Sequence, residues 1–493
     1  MRRMLIWFRN IILVAIAIVV VLAAVVLVNT FRQGSKQIAV APAPKLAVDE
    51  QAAATRLAEA IRFQTISSFA HPDQAADALR GMQAHLAASF PAFHGAAKRE
   101  IVGDYSLLYT WEGSDPAARP IALLAHQDVV PVAPGTEKDW QYPPFAGVVA
   151  DGFIWGRGAW DDKSSIYAML EAVEAMVKQG FRPKRTIYFA FGHDEEVSGQ
   201  RGAKAIATLL ASRGVRLEFV LDEGLLITEG MLKGLDRPLA LIGVAEKGYS
   251  TLVLTAKGTP GHSSYPPRDT AIGTMSAALV RLENKRFPMR VGETVGEMLD
   301  TVAPEMSGFN RVVLSNLWLF KPLLLREFEK SGPSEANVRT STALTIFNAG
   351  DKDNVLPGYA EATVNFRLLP GDTQASVTEH VRRVIDDERI SITPFPGNTD
   401  PPPVTRTDSD GYRAINRTIR EVFPDVVVTP GLMVGATDSR NYADVADNIF
   451  RFQPVRTTGE DLKRVHGTNE RLSIAGYADM IRFYRRLMEN VGK

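Results

Sequence analysis

Cysteine is absent from the 493 residues of this chain. That excludes thiol nucleophiles, cysteine-ligated zinc and disulfides together, and it leaves the compartment undecided. Net charge is missing as well, because 56 basic and 56 acidic side chains cancel. A chain so balanced has no long-range pull on nucleic acid or on an acidic partner. No G-x-S-x-G sequence occurs, so the elbow that exposes a nucleophilic serine in α/β hydrolases is not encoded. Internal repeats and low-complexity tracts are also lacking. What remains is an ordinary globular composition, 45% hydrophobic and 23% charged, long enough at about 150 residues per domain for two or three domains.

The N-terminus departs from this average. Ile11 to Val28 is an unbroken apolar run of 18 residues, the length at which a membrane-spanning helix becomes the default. Arg2, Arg3 and Arg9 precede it; Arg32 and Lys36 follow. This bias keeps the short N-terminus cytoplasmic and sends the body to the periplasmic or extracellular side. A cleaved signal peptide competes, favoured by small residues near Ala39 to Ala43 but disfavoured by the length of the run. The expectation is an uncleaved single-pass anchor and tether over residues 1–44.

The soluble body opens with a helix over Val48 to Phe63. Ile121 to Leu124 and Thr186 to Phe191 are apolar runs of buried-strand length. Asp151-Gly152 reads as a hairpin turn. Helices are expected from about Ser164 to Gln179 and from about Gln200 to Arg213, and FVLDEG (219–224) is another strand ending in acids. This alternation predicts an α/β catalytic domain: a mostly parallel sheet with helices on both faces and the site at its strand ends. The rhythm changes near Glu246. The order βαββαβ over Tyr249 to Pro394 predicts an inserted ferredoxin-like α+β lid or dimerisation domain. The expected division is therefore 45–246 and 397–493 for the catalytic domain, with 247–396 inserted. Inside the insertion, VVLSNLWLFKPLLL (312–325) is read as an extra buried helix, with a substrate- or membrane-facing wall as the alternative.

The chemistry gathers where strands end. Three adjacent carboxylates, Asp194, Glu195 and Glu196, close the run Thr186 to Phe191. Such a cluster is costly to desolvate unless a cation is bound or the loop is solvated and caps a helix. His126 and Asp128 project to the same side of an extended segment, so the carboxylate can orient an imidazole that binds metal. Asp161 and Asp162 follow a Gly-rich turn, where either alone would be an N-cap or a first-turn acid. His466 lies in a late loop. Singly, each has an ordinary structural explanation. Together, imidazole and carboxylate donors without sulfur suit zinc, and a set shared by two ions leaves room for a bridging water.

In order, AHQDVVPV (125–132), GRGAWDDKSS (156–165), GHDEEVSG (192–199), LDEG (221–224), GTPGHSS (258–264), GATDSRNY (435–442) and VHGTNERL (465–472) resemble the motifs of the zinc-dependent aminoacylase and carboxypeptidase S family of dinuclear metallopeptidases. The resemblance covers roughly residues 48–490. It implies two zinc ions bridged by Asp161. One would also take His126 and an acid of LDEG, with Asp222 expected over Glu223; the other would take Glu196 and His466. It further implies Glu195 as the base, Asp128 as the residue steering His126, and His262 as an oxyanion-stabilising group reaching a neighbouring active site. Arg440 would grip a substrate carboxylate, although it could instead pair with Asp438, and Asn354 would lie near the substrate. The implied substrates are peptides or N-acyl amino acids, and the implied assembly is a homodimer through the inserted domain. The alternative from another class is a catalytically inactive binding or scaffold protein on the same fold, which requires losses among these residues.

Overall fold

The computed structural model describes residues 2–492. At its centre, strands Ile121–His126 and Ile187–Gly192 run parallel, with Ile121 opposite Ile187 and His126 opposite Gly192. Val220–Asp222 lies parallel on the other flank of Ile121–His126, and Ile449–Arg451 pairs in parallel beyond it. All six residues of Ile121–His126 are buried, which explains why the strand reads as a continuous apolar run rather than an alternation. The period of two still sorts the side chains. Leu107, Leu123, Phe189 and Phe191 join one core with helices Lys163–Lys178 and Ile474–Val491. Leu108, Leu124 and Ala190 face the other way, onto helix Ala203–Ser212. The sheet is thus covered on both faces, and its exposed chemistry is confined to the strand ends.

The insertion builds a second, four-stranded antiparallel sheet in the order Ser341–Asn348, Tyr359–Leu368, Gly248–Lys257, Ile390–Pro394. Helices Ala271–Asn284 and Gln374–Ile385 close it over a separate core containing Leu252, Leu254, Met275, Val364 and Val381. This is the βαββαβ order expected from the sequence.

The stretch 312–325 differs from the expectation of one buried helix. Two helices form, Gly308–Ser315 and Leu317–Phe328, separated at Asn316, whose backbone leaves helical geometry at φ −132°, ψ 45°. Val313, Leu314 and Leu324 are buried, whereas Trp318 and Leu323 are 59% and 47% exposed. At the N-terminus, Arg2–Arg32 is one continuous helix of which only Val26 and Thr30 are buried.

Candidate metal centre

The register of the central strands dictates what meets at their ends. With His126 level with Gly192, the acids that follow Gly192 fall beside the imidazole. Leu221 lies opposite Leu123, so the acids of LDEG leave the sheet on the other side of the same ring. Asp161 arrives from the turn before helix Lys163–Lys178, and His466 from a loop near the C-terminus.

Asp161 is the centre of the arrangement. Its Oδ1 lies 3.0 Å from His126 Nε2, and its Oδ2 lies 2.9 Å from His466 Nε2. On the His466 side, Glu196 approaches the same nitrogen at 3.1 Å. On the His126 side the neighbour is Glu223, at 3.4 Å. Each half therefore offers one imidazole nitrogen and two carboxylate oxygens, with the oxygens of Asp161 divided between them. Within each of the triads His126–Asp161–Glu223 and Asp161–Glu196–His466, one donor atom per residue lies within 4.8 Å of the others.

Asp222, expected from sequence as the ligand on this side, lies outside both triads. It is buried, but its carboxylate is taken by backbone N–H groups, accepting from Glu223 at 3.0 Å and from Ser439 at 2.7 Å. Adjacent residues at a strand end point to opposite sides, and here it is Glu223 that turns to His126. Asp128 meets His126 through both its main chain and its side chain. His126 Nδ1 is held by the Asp128 main-chain carbonyl at 2.9 Å, with the carboxylate at 3.4 Å. The carboxylate also accepts from the backbone N–H groups of Glu195 and Glu196, at 3.2 and 3.1 Å. Asp128 thus fixes the acid loop as well as the ring.

That loop is a 3-10 turn, Glu195–Val197, held below by Asp194, which accepts from Arg201 and Gly202 N–H groups at 2.8 Å each. Gly199 follows at φ +67°, and a Cβ there would come within 2.0 Å of Asp438 Oδ1, so a side chain is excluded sterically as well as by the backbone. Glu195 has a carboxylate oxygen within the same 4.8 Å reach of His126 and Glu196, yet it enters no ion pair among the described residues.

Burial works against every charge here. It drives the pKa of Glu195 well above the carboxylate range, with Asp438, Glu223 and Glu196 adding to the effect. Glu223 is pushed up to about 7 by burial and by Asp161. Burial alone would lower His126, but Asp128, Asp161 and Glu223 outweigh it and raise its pKa well above the usual value. His466 is raised to about 10 by Asp161 and Glu196. The acids around each imidazole favour a positive charge at its place, and acids outnumber rings. A buried cluster of acids that resist ionising together, with only hard or borderline donors, fits divalent cations.

Sequence reasoning passed over two supporting residues. Glu470 is fully buried and accepts from the backbone N–H groups of Gly158, Trp160 and Asp161 at 2.9–3.2 Å while pairing with buried Arg157. It thereby shapes the turn that presents Asp161. Gln453 donates to Asp162 Oδ1 at 3.0 Å and so fixes the next residue. Glu470 stands in the quoted VHGTNERL motif, and its position there was the available signal.

Arg440 lies over the acid loop, donating to the Ser198 carbonyl at 3.3 Å. Among the described residues it forms no ion pair with Asp438, both of whose oxygens are buried without a hydrogen-bond partner. His262 and Asn354 sit together on the inserted domain, where Ser263 N–H donates to the Asn354 carbonyl at 3.1 Å. Both residues are exposed, and no hydrogen bond or ion pair among the described residues joins them to the cluster.

A profile of peptidase family M20/M25/M40 matches residues 122–490. A probable carboxypeptidase S-like 2 from Dictyostelium discoideum is 42% identical over 89% of this chain and 85% of its own length. The N-fatty-acyl-amino acid synthase/hydrolase PM20D1 of Xenopus tropicalis is 43% identical over 87% and 84%. Among solved structures, the M20 family metallo-carboxypeptidase Sso-CP2 of Sulfolobus solfataricus superposes with a TM-score of 0.64 at 16% identity, over 90% of this chain and all of that one. Human carnosine dipeptidase 1 gives 0.63 at 16% identity, over 90% and 96%.

Proposed function

Because this chain belongs to peptidase family M20/M25/M40 and is a metal-dependent hydrolase of amide bonds, we propose that its substrates are small amides with a free carboxylate, either dipeptides and C-terminal residues or N-acyl amino acids. The carrying observation is the divided carboxylate of Asp161, one oxygen on each imidazole. Zinc is the cation we assign, with His126, Asp161 and Glu223 around one ion and Asp161, Glu196 and His466 around the other. When bound there, such ions would supply Lewis-acid polarisation of a carbonyl and lower the pKa of a bound water toward ~7.

The protein's part is positioning and proton transfer. Glu195, free of ion pairs and held through its backbone by Asp128, takes the proton of the attacking water and delivers it to the departing nitrogen. His262 is exposed on the inserted domain, accepting from Ser264 N–H at 3.1 Å. We assign it to the oxyanion of a second subunit's substrate, in a homodimer joined through residues 247–396. Asn354 belongs to the same contribution. Arg440 clamps the substrate carboxylate through the bidentate geometry that suits arginine.

The test is a panel of dipeptides and N-acyl amino acids of increasing chain length, each as free acid and C-terminal amide, on wild type and Arg440→Ala. Losing the charge-assisted bond costs ~1.5–3 kcal/mol, or about 10–150-fold in kcat/KM. The substitution should cost that factor on the acid and little on the amide. Losses that multiply without coupling would remove Arg440 from the clamp.

We further assign Arg2–Arg32 as a retained anchor with its N-terminus cytoplasmic. The full-length protein should stay with membranes through an alkaline wash. A mature N-terminus mapped near Ala43 would make the apolar run a signal peptide.

A further inference from the structure

Helix Arg2–Arg32 meets the body only near its C-terminal end, and the contact is polar and specific. Asn316, fully buried between the helices Gly308–Ser315 and Leu317–Phe328, donates to the Val26 carbonyl at 3.2 Å and to Thr30 Oγ1 at 3.1 Å. Its own carbonyl oxygen accepts from Asn29 Nδ2 at 3.2 Å and from Trp318 Nε1 at 3.3 Å. Arg311 adds a bond to the Gln33 carbonyl at 3.2 Å. One amide therefore ties three segments together with both its donor and its acceptor used.

This contact fixes a height. The apolar run Ile11 to Val28 rises roughly 27 Å at ~1.5 Å per residue, close to the ~30 Å of a bilayer's hydrocarbon. Val26 and Thr30 bracket the end of that run, so Asn316 lies within one helical turn of the hydrocarbon boundary on the body's side. Trp318, 59% exposed, is hydrogen-bonded to Asn316 at that level. Leu323 at 47% and Phe309 at 63% exposure continue the uncovered apolar surface. Phe309 is joined across the two helices to Phe320 by an edge contact with centroids 6.0 Å apart. Lys321 and Arg326 are exposed on the same helix.

The geometry points to a second membrane element: we propose that the helix pair Gly308–Phe328 lies in the lipid interface beside the emerging anchor. The inference rests on the reading of Arg2–Arg32 as a retained anchor. The 12 residues of Leu317–Phe328 reach only ~18 Å and cannot cross a bilayer, so the helix lies in the plane. Trp318 and Leu323 enter the boundary of headgroups and acyl chains, and Lys321 and Arg326 meet lipid phosphates. Aromatic rings with one polar edge and apolar stems flanked by basic groups are what such a boundary selects. The surface is continuous with the spanning helix, which makes lipid, rather than a soluble partner, its occupant.

Because the chain has no cysteine, one introduced thiol carries one label. Full-length Val19→Cys, Leu323→Cys and Thr208→Cys, each bearing an environment-sensitive fluorophore and each retaining the wild-type melting profile, are reconstituted into phosphatidylcholine vesicles without bromine or with bromine on the upper or the lower acyl carbons. The Leu323 label should lose at least half its emission to brominated lipid, and the Thr208 label, on the exposed face of Ala203–Ser212, almost none. A Leu323 label as unaffected as Thr208 overturns the proposal. The Val19 label separates the two readings. If it is quenched and Leu323 is not, the anchor stands and the interfacial helices fall. If it is unquenched, the anchor falls, and the Leu323 label still decides the lipid contact.

Discussion

Glu195→Gln should abolish turnover while both metal ions remain bound. The glutamine keeps the length and the backbone bond to Asp128 but cannot accept and return a proton. General acid–base catalysis of this kind is worth about 10²–10⁴-fold, and the loss should appear in kcat, because Glu195 is assigned to the water and not to the substrate's carboxylate. Metal content, measured by mass spectrometry on the purified protein, should equal that of wild type. A variant that turns over within about tenfold of wild type would take the base role from Glu195. A variant that loses metal would make it a ligand instead.

Asp161→Ala should lose metal and activity together, since one carboxylate serves both imidazoles. Ligand losses on the two flanks should be separable. Glu223→Gln should release one ion and keep the other, whereas Asp222→Asn should keep both and lower the melting temperature instead. The reason is that Asp222 spends its oxygens on the N–H groups of Glu223 and Ser439, and a buried donor left unpaired costs ~1–3 kcal/mol. Two equivalents of metal retained by Asp161→Ala would refute the shared carboxylate. Metal lost by Asp222→Asn but kept by Glu223→Gln would restore the pairing expected from sequence.

Much of this is legible in the sequence. Buried parallel strands read as apolar runs because both faces are covered, and charges at their ends stand out against them. His126, Glu195 and Glu196 stand out that way, Asp161 and His466 through the motif resemblance, and the structure brings the five together. The choice between Asp222 and Glu223 was not legible, because two adjacent acids face opposite sides and nothing local says at which residue the strand stops alternating. Asp128 shows a related limit. An i, i+2 spacing puts its side chain on the side of His126, but it does not reveal that the main-chain carbonyl comes closer to the ring. Glu470 was passed over for a different reason, despite its place in a quoted motif. A glutamate in a late loop carries no mark of a partner, Arg157, that lies 313 residues earlier. Asn316 did leave a trace, as the lone amide in an otherwise apolar stretch.

The distance between Glu470 and the turn it supports has a consequence for how the protein is made. Asp161, His126 and Glu223 leave the ribosome long before Glu470 and His466, with the whole insertion synthesised in between. Until the last part of the chain arrives, the turn at 156–161 lacks the carboxylate that collects its N–H groups, and one flank of Asp161 lacks its imidazole. The nascent chain therefore holds four of the five assigned ligands and no formed cradle. With His466 assigned to the second ion, loading of both ions would wait on completion of the polypeptide, and a chain truncated before residue 466 is expected to be inactive however well its first half folds.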